Sequence, residues 1–184
     1  MADQQLPDSA RVVVIGGGII GCSVAYHLAE EGCDVVLLER DQLTSGTTWH
    51  AAGLLTNFGS GSETLLDIRK HARNLYDRLE HETGQQTGFV GSGFIELAAD
   101  EDRVEEYRRI AAFNRLHGND IHELSAAEIK DLFPLADVDD IKAGFYAEHD
   151  GRINPVDVTM AMAKGARMKG AKLIEKTPIR KVLT

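Results

Sequence analysis

The sequence predicts an α/β fold, a parallel strand–helix–strand unit interrupted further along by a mixed α+β insertion. Three observations carry this. The apolar run Arg11-Val-Val-Val-Ile15 breaks at Gly16-Gly-Gly18-Ile-Ile-Gly21 and gives way to a helical stretch. A second apolar run, Asp34 to Leu38, follows and ends in Glu39. Beyond residue 84, short alternating runs and charged helical stretches succeed one another without that order.

Residues 1–10 read as a disordered lead-in. The β-branched run to Ile15 reads as a strand buried on both faces. The helix spans about Ile19 to Glu31, with Val24, Ala25, Leu28 and Ala29 inward and Gly32 as its stop. Asp34 to Leu38 is the second strand, parallel to the first. Residues 40–61, rich in Thr, Ser and Gly, lack either regular period, and so long an irregular loop is uncommon unless it serves function. Ser62 can cap a helix with a stripe of Leu65, Ile68, Ala72, Leu75 and Leu79, closed by Gly84. Its charges read as a solvated face.

Phe89 to Ala98 alternates, with a bend at Gly91-Ser-Gly93. Asp100 opens a charged helix to Leu116 that Gly118 closes, and Ile121 to Leu124 is a short strand. Ser125 and Glu128 form a capping box. Ala143 to Ala147 is a strand, His149-Asp-Gly151 a turn, and Asn154-Pro155 the start of a helix that Gly170 ends. Lys172 to Glu175 and Ile179 to Leu183 read as strands.

Composition excludes some functions. With 20 Lys+Arg against 29 Asp+Glu the net charge is -9, which argues against binding nucleic acid or an anionic membrane, since both need a basic face. Cys22 and Cys33 form no CxxC pair and read as buried free thiols of a reducing compartment. Val12 to Ala29 carries no charged residue, but four glycines and a histidine interrupt it, so no membrane span is expected. The acidic N-terminus resembles neither a secretory signal nor a transit peptide. A cytoplasmic location is expected, or the mitochondrial matrix in a eukaryotic host although no transit peptide is seen.

Gly16-x-Gly18-x-x-Gly21 is weak alone but here follows a strand and opens a helix. In that context Gly16 makes a tight turn, Gly18 admits a pyrophosphate, and Gly21 lets the helix sit close on the sheet. The helix N-terminal amides then face the phosphates. Glu39 lies 23 residues after Gly16, where a carboxylate can accept ribose hydroxyls and disfavours a 2′-phosphate. The unit by itself leaves FAD and NAD both open.

The glycine turn, Glu39-Arg40, the run Leu43-Thr-Ser-Gly-Thr-Thr-Trp-His-Ala-Ala-Gly-Leu54 and the later Asp150-Gly-Arg-Ile-Asn-Pro155 together resemble the dimethylglycine and sarcosine dehydrogenase family, flavoproteins of the D-amino-acid-oxidase-like group. The resemblance runs from Arg11 to Thr184, and Thr47-Thr-Trp-His-Ala-Ala-Gly53 is its specific part. It implies FAD as cofactor, bound covalently through His50. It implies that Gly18, Ile19, Glu39, Arg40 and the run Gly46, Thr47, Thr48, Trp49, His50, Ala51, Ala52, Gly53, Leu54 line the cofactor, and that Arg180 meets the adenine through its backbone. The fold implied is an FAD-binding Rossmann-like domain interrupted by part of a mixed α+β substrate domain. Residues 11–83 are its first segment, 84–148 the substrate part, and 149–184 an incomplete return segment.

By resemblance the whole protein carries out oxidative N-demethylation of a small methylated glycine, with an electron-transfer flavoprotein as acceptor and tetrahydrofolate as a one-carbon acceptor in long members. Two alternatives stand beside this: an oxygen-using amine or amino-acid oxidase of the same fold, and a truncated cofactor-binding fragment without turnover. Family members continue beyond this length, so the chain reads as an N-terminal fragment whose catalytic residues lie elsewhere. His71, His81, His117, His122 and His149 show no metal-ligand spacing, so no metal is assigned. Asp150 reads as turn chemistry.

Overall fold

In the computed structural model, which describes residues 6–183, the strand–helix–strand unit is β1 (Val12–Ile15), α1 (Ile19–Glu30) and β2 (Val35–Leu38). Residues 1–5 of the expected lead-in lie outside the described residues, and residues 6–11 carry no regular element. Two compact units divide the chain. The first comprises the residues up to Gly53, Tyr76–Phe89 and those from Ile153 onward; the second comprises Leu54–Leu75 and Val90–Arg152. The boundaries read from sequence, 83/84 and 148/149, place residues 54–75 with the first segment, whereas the structure groups them with the second unit.

In the first unit β2 is central. Val12 pairs with Val35 and Ile15 with Leu38, while on the other side Val36 pairs with Lys172 and Leu38 with Ile174 of β8 (Lys172–Ile174), all parallel. Val35, Val36 and Leu37 are buried, as an uninterrupted apolar strand of a parallel sheet requires. Trimming Leu37 to Ala there costs about 2–5 kcal/mol. β1 departs from its expected burial on both faces: Val13 is 52% exposed and Ile15 59%. It is an edge strand among the described residues, with β2 as its neighbour and one face uncovered.

α1 packs on α5 (Pro155–Met168) through Ala25, Tyr26 and Ala29. A Cβ at Gly165 would lie 2.7 Å from Tyr26 Cε2, so glycine there makes room for the ring. The Tyr26 hydroxyl donates to Glu82 at 2.7 Å. Val24, expected inward, is 42% exposed, because the buried face of α1 runs through Cys22, Ala25, Tyr26 and Ala29. Asn154 caps α5, accepting from the amides of Val156 and Asp157, with Pro155 in the first turn as expected. The expected strand Ile179–Leu183 is not formed. No described strand lies beside it, and an extended segment without a ladder partner gains no pairing bonds.

The second unit holds β4 (Phe94–Ala98), β5 (His122–Leu124) and β6 (Ala143–Ala147) in an antiparallel sheet ordered β4-β6-β5. The bend read at residues 91–93 delays β4 to Phe94, with Gly93 at φ +73°. α3 (Glu101–Leu116) starts at Asp100, whose carboxylate accepts from the Arg103 amide at 2.7 Å. α4 (Ala126–Leu132) carries the full Ser125/Glu128 capping box. Phe58, Val104, Ile121 and Phe145 form the core here, with Tyr107 edge-on to Phe58 and Phe145. A short antiparallel pair joins β3 (Leu54–Leu55) to β7 (Gly151–Arg152).

The unit boundary falls inside α2 (Glu63–Thr83), between Leu75 and Tyr76. Its expected stripe is partly displaced: Leu75 and Leu79 are buried, but Leu66 replaces Leu65 and Ile68, which are exposed.

Candidate functional site

A cavity of about 710 Å³ opens in the first unit. It is lined by the ends of β1 and β2, the whole glycine turn, the start of α1, Thr44–Thr48, Ala51 and Thr177–Ile179. The glycine turn is built by close approach. Gly16 has φ +107°, a conformation that L side chains rarely adopt, and its amide donates to Leu38 O at 2.9 Å. A Cβ on Gly21 would fall 2.0 Å from Gly16 O, so the helix can begin only with glycine there. Gly17, which the spacing motif leaves unassigned, is as constrained: its Cβ would meet Leu43 Cδ2 at 2.5 Å and Glu39 Cβ at 2.9 Å. Its place in the middle of an unbroken row of three glycines was the available signal.

Glu39 stands at the end of β2, 8% exposed. Its Oε2 accepts from the Gly17 amide at 2.6 Å and its Oε1 from the Asp41 amide at 2.9 Å. Each carboxylate oxygen has two acceptor positions, so one on each remains for a ligand hydroxyl. Backbone bonds fix the frame, Glu39 N to Ile174 O at 2.9 Å and Thr177 N to Glu39 O at 2.7 Å.

The loop after β2 is pinned at four places. The Leu43 amide donates to Glu175 at 2.7 Å, and the Thr44 amide to Gly17 O at 3.0 Å. Thr44 takes φ +70°, unusual for a threonine. Thr48 is 7% exposed, and its hydroxyl accepts from the Ile19 amide at 3.0 Å. That bond takes up the first orphan N–H of α1 and leaves the Thr48 proton to donate. The Gly53 carbonyl, in a residue at φ +76°, accepts from the Ile153 amide at 2.8 Å, and a Cβ on Gly53 would lie 2.2 Å from Ile153 O. Between these pins a 3-10 turn, Thr48–His50, carries Trp49 and His50 outward; both are exposed.

Of the residues singled out from sequence, Gly16, Gly18, Ile19, Gly21, Glu39, Arg40, Gly46, Thr47, Thr48 and Ala51 line this cavity. Trp49, His50, Ala52, Gly53, Leu54 and Arg180 do not. Thr177, Pro178 and Ile179, just before Arg180, do line it, where the chain turns at Lys176 (φ +55°), whose amide donates to Asp41 O at 2.8 Å. Thr44 and Ser45 also line the wall; they belong to the run that carries the resemblance but were not singled out within it. The Ile19 amide, expected to face a phosphate, is spent on Thr48.

Cys22, beneath the turn, is buried and its thiol is pushed up to about 12 by desolvation, so it stays protonated and inert. Among the described residues no group of three or more His, Cys, Asp or Glu is placed to hold a metal ion, and no helix is long and apolar enough to cross a membrane.

The second unit contains a different acidic centre. Asp150 is fully buried; it accepts from the Asn57 amide at 2.8 Å, the Asn57 side-chain amide at 2.7 Å and the Phe58 amide at 3.4 Å. Burial raises its pKa, against the pull of those bonds and of Arg69. The turn reading of Asp150 identified its neighbourhood but not this anchoring of the chain after β3.

Residues 11–184 match the family described as FAD dependent oxidoreductase. The chain belongs to that family. It is 43% identical over 176 residues to human sarcosine dehydrogenase, covering 95% of this chain and 19% of the relative. It is 46% identical over 173 residues to rat dimethylglycine dehydrogenase, covering 94% of this chain and 20% of the relative. Both relatives are mitochondrial by name, and the chain spans about a fifth of their length. Among solved structures, L-proline dehydrogenase from P. horikoshii superposes with a TM-score of 0.90 at 28% identity, over 97% of this chain and 47% of that one. The cavity suits the family's cofactor. Side chains at Gly16 and Gly46 would project into open space, Glu39 keeps acceptors for ribose hydroxyls, and Thr48 keeps a donor for a phosphate oxygen.

Proposed function

We propose that the first unit holds the adenosine and pyrophosphate of FAD, and that the whole protein carries out oxidative N-demethylation of dimethylglycine or sarcosine. One observation carries this most directly. The loop that contains Thr47-Thr-Trp-His-Ala-Ala-Gly53 is bonded to the start of α1 through Thr48, so it stands beside a dinucleotide turn. The 43% and 46% identities to the two dehydrogenases support the substrate class.

In this reading Glu39 accepts the ribose hydroxyls, and Gly18 keeps the turn open to the pyrophosphate. The flavin, when bound, supplies the two-electron oxidation of the amine. The chain's residues bind and orient it. The Thr48 hydroxyl donates toward a phosphate oxygen, and Gly46 leaves the backbone free to approach. His50, exposed at the end of the pinned 3-10 turn, is the covalent anchor. A neutral imidazole is a competent nucleophile near pH 7. An electron-transfer flavoprotein as acceptor, tetrahydrofolate as one-carbon acceptor and a matrix location in a eukaryotic host belong to the same proposal.

The test is turnover by the complete protein. Dimethylglycine and sarcosine are supplied with an artificial electron acceptor or with oxygen alone, and formaldehyde and peroxide are measured. Formaldehyde with the acceptor and little peroxide is the expected result. Peroxide in step with formaldehyde favours the oxidase reading. No oxidation of either amine contradicts the proposal.

A further inference from the structure

Trp49 and His50 lie ring against ring, with centroids 3.7 Å apart and planes tilted by 32°. Successive residues of a 3-10 turn project about 120° apart. The backbone therefore does not bring these rings together; side-chain rotation does. The turn beneath them is fixed by Thr48 on the Ile19 amide and by the His50 and Ala51 amides on Thr47 O and Thr48 O, at 3.1 and 3.2 Å. A histidine is ordinarily oriented by a hydrogen bond to one ring nitrogen. Among the described residues His50 has no such bond. The indole is the side chain in ring contact with the imidazole.

We propose that Trp49 is the positioning residue for His50: the stacked indole holds the imidazole plane and presents its edge, where both nitrogens lie, to the bound flavin. This rests on the reading of His50 as the anchor. In the attachment step a bond forms between an imidazole nitrogen and a methyl carbon of the flavin. The imidazole N–H and one methyl C–H break, the C–H electron pair passes into the flavin ring, and both protons are taken up by the ring or water. No further oxidant is needed for that bond. As the nitrogen lone pair is drawn into it, positive charge develops on the imidazole, and an indole face stabilises such charge. Trp49 thus acts twice, on the plane of the ring and on the charge it gains. An aliphatic side chain of similar reach does neither.

The experiment uses the complete protein, prepared without flavin and mixed with saturating FAD, so that differences in affinity drop out. Samples are precipitated with acid over time, and the flavin retained on the peptide containing His50 is measured. Trp49→Leu should slow attachment about tenfold, and Trp49→Phe, which restores a ring, should recover to within about threefold of the unchanged protein. Trp49→Met serves as a second non-aromatic variant should the leucine variant fail to fold. A role in filling space alone is rescued as well by Leu or Met as by Phe. Attachment by the Leu or Met variant at the unchanged rate overturns the assignment of Trp49 and leaves His50 as the anchor. An unchanged protein that retains no flavin after acid removes the anchor reading, and this inference with it.

Discussion

Glu39 in the first unit and Asp150 in the second are both buried carboxylates held by backbone N–H groups, and they differ in what remains afterwards. Glu39 spends one acceptor position of each oxygen on Gly17 and Asp41, keeps the others, and stands in the wall of a cavity. Asp150 is enclosed completely, and the donors around it are Asn57 and Phe58. The first arrangement leaves binding capacity at the edge of a ligand-sized space. The second ties one stretch of chain to another. Burial and backbone hydrogen bonds are common to both acids; the neighbouring cavity is what sets Glu39 apart.

The largest effect is expected in the first unit, at a position where no ligand is needed to explain it. Gly21→Ala places a methyl against Gly16 O and should destabilise the chain by about 3 kcal/mol or more, read as a large loss of melting temperature. Gly18→Val is the matched contrast. A Cβ at Gly18 meets only Thr48 Oγ1, at 3.0 Å, so the variant should stay largely folded and lose flavin binding. A Gly18→Val protein that purifies with full flavin would put the pyrophosphate elsewhere.

In the second unit Asp150→Asn turns an amide NH₂ toward N–H donors and should cost about 1–3 kcal/mol in urea unfolding. Its pH dependence has a definite sign. Desolvation raises the native pKa above the unfolded value. The group's contribution to stability is therefore full below about pH 3.9 and is lost as pH rises through the raised native pKa. The gap between the two proteins should be widest in acid and narrow toward neutrality. A gap that widens with pH would mean that the hydrogen bonds outweigh burial.

Glu39→Ala should weaken FAD binding by about 1–3 kcal/mol, measured by titrating the flavin-free complete protein. The same change leaves the Gly17 and Asp41 amides without their acceptor, so a modest loss of stability should accompany it. Unchanged affinity would reduce Glu39 to the structural role that Asp150 plays.

How far this was legible in the sequence depends on how local each feature is. The glycine turn, Glu39 at the end of β2, the Ser125/Glu128 box and the Asn154-Pro155 start each depend on a few adjacent residues, and all are found in the structure. Features set by distant neighbours were not legible. The run Val12–Ile15 is apolar whether or not a strand flanks it, so its exposed face could not be read. Ile179–Leu183 has strand composition but no described strand beside it. Asp150 sits in a sequence typical of an exposed turn, and its burial depends on Asn57, 93 residues away in sequence. At the site, spacing from the glycine turn pointed to Glu39 and the family resemblance to the loop 46–54, of which Gly46, Thr47, Thr48 and Ala51 line the cavity, while the loop's pins to Ile19, Glu175 and Ile153 are tertiary.

If the pinned loop presents His50 to a flavin held by the glycine turn and Glu39, that histidine carries the cofactor. Peptide mass analysis of the acid-precipitated complete protein tests it most directly. Flavin mass is expected on the peptide containing His50, with release of all flavin on denaturation from His50→Ala. Quantitative release from the unchanged protein, or flavin mass on any other peptide, would contradict it.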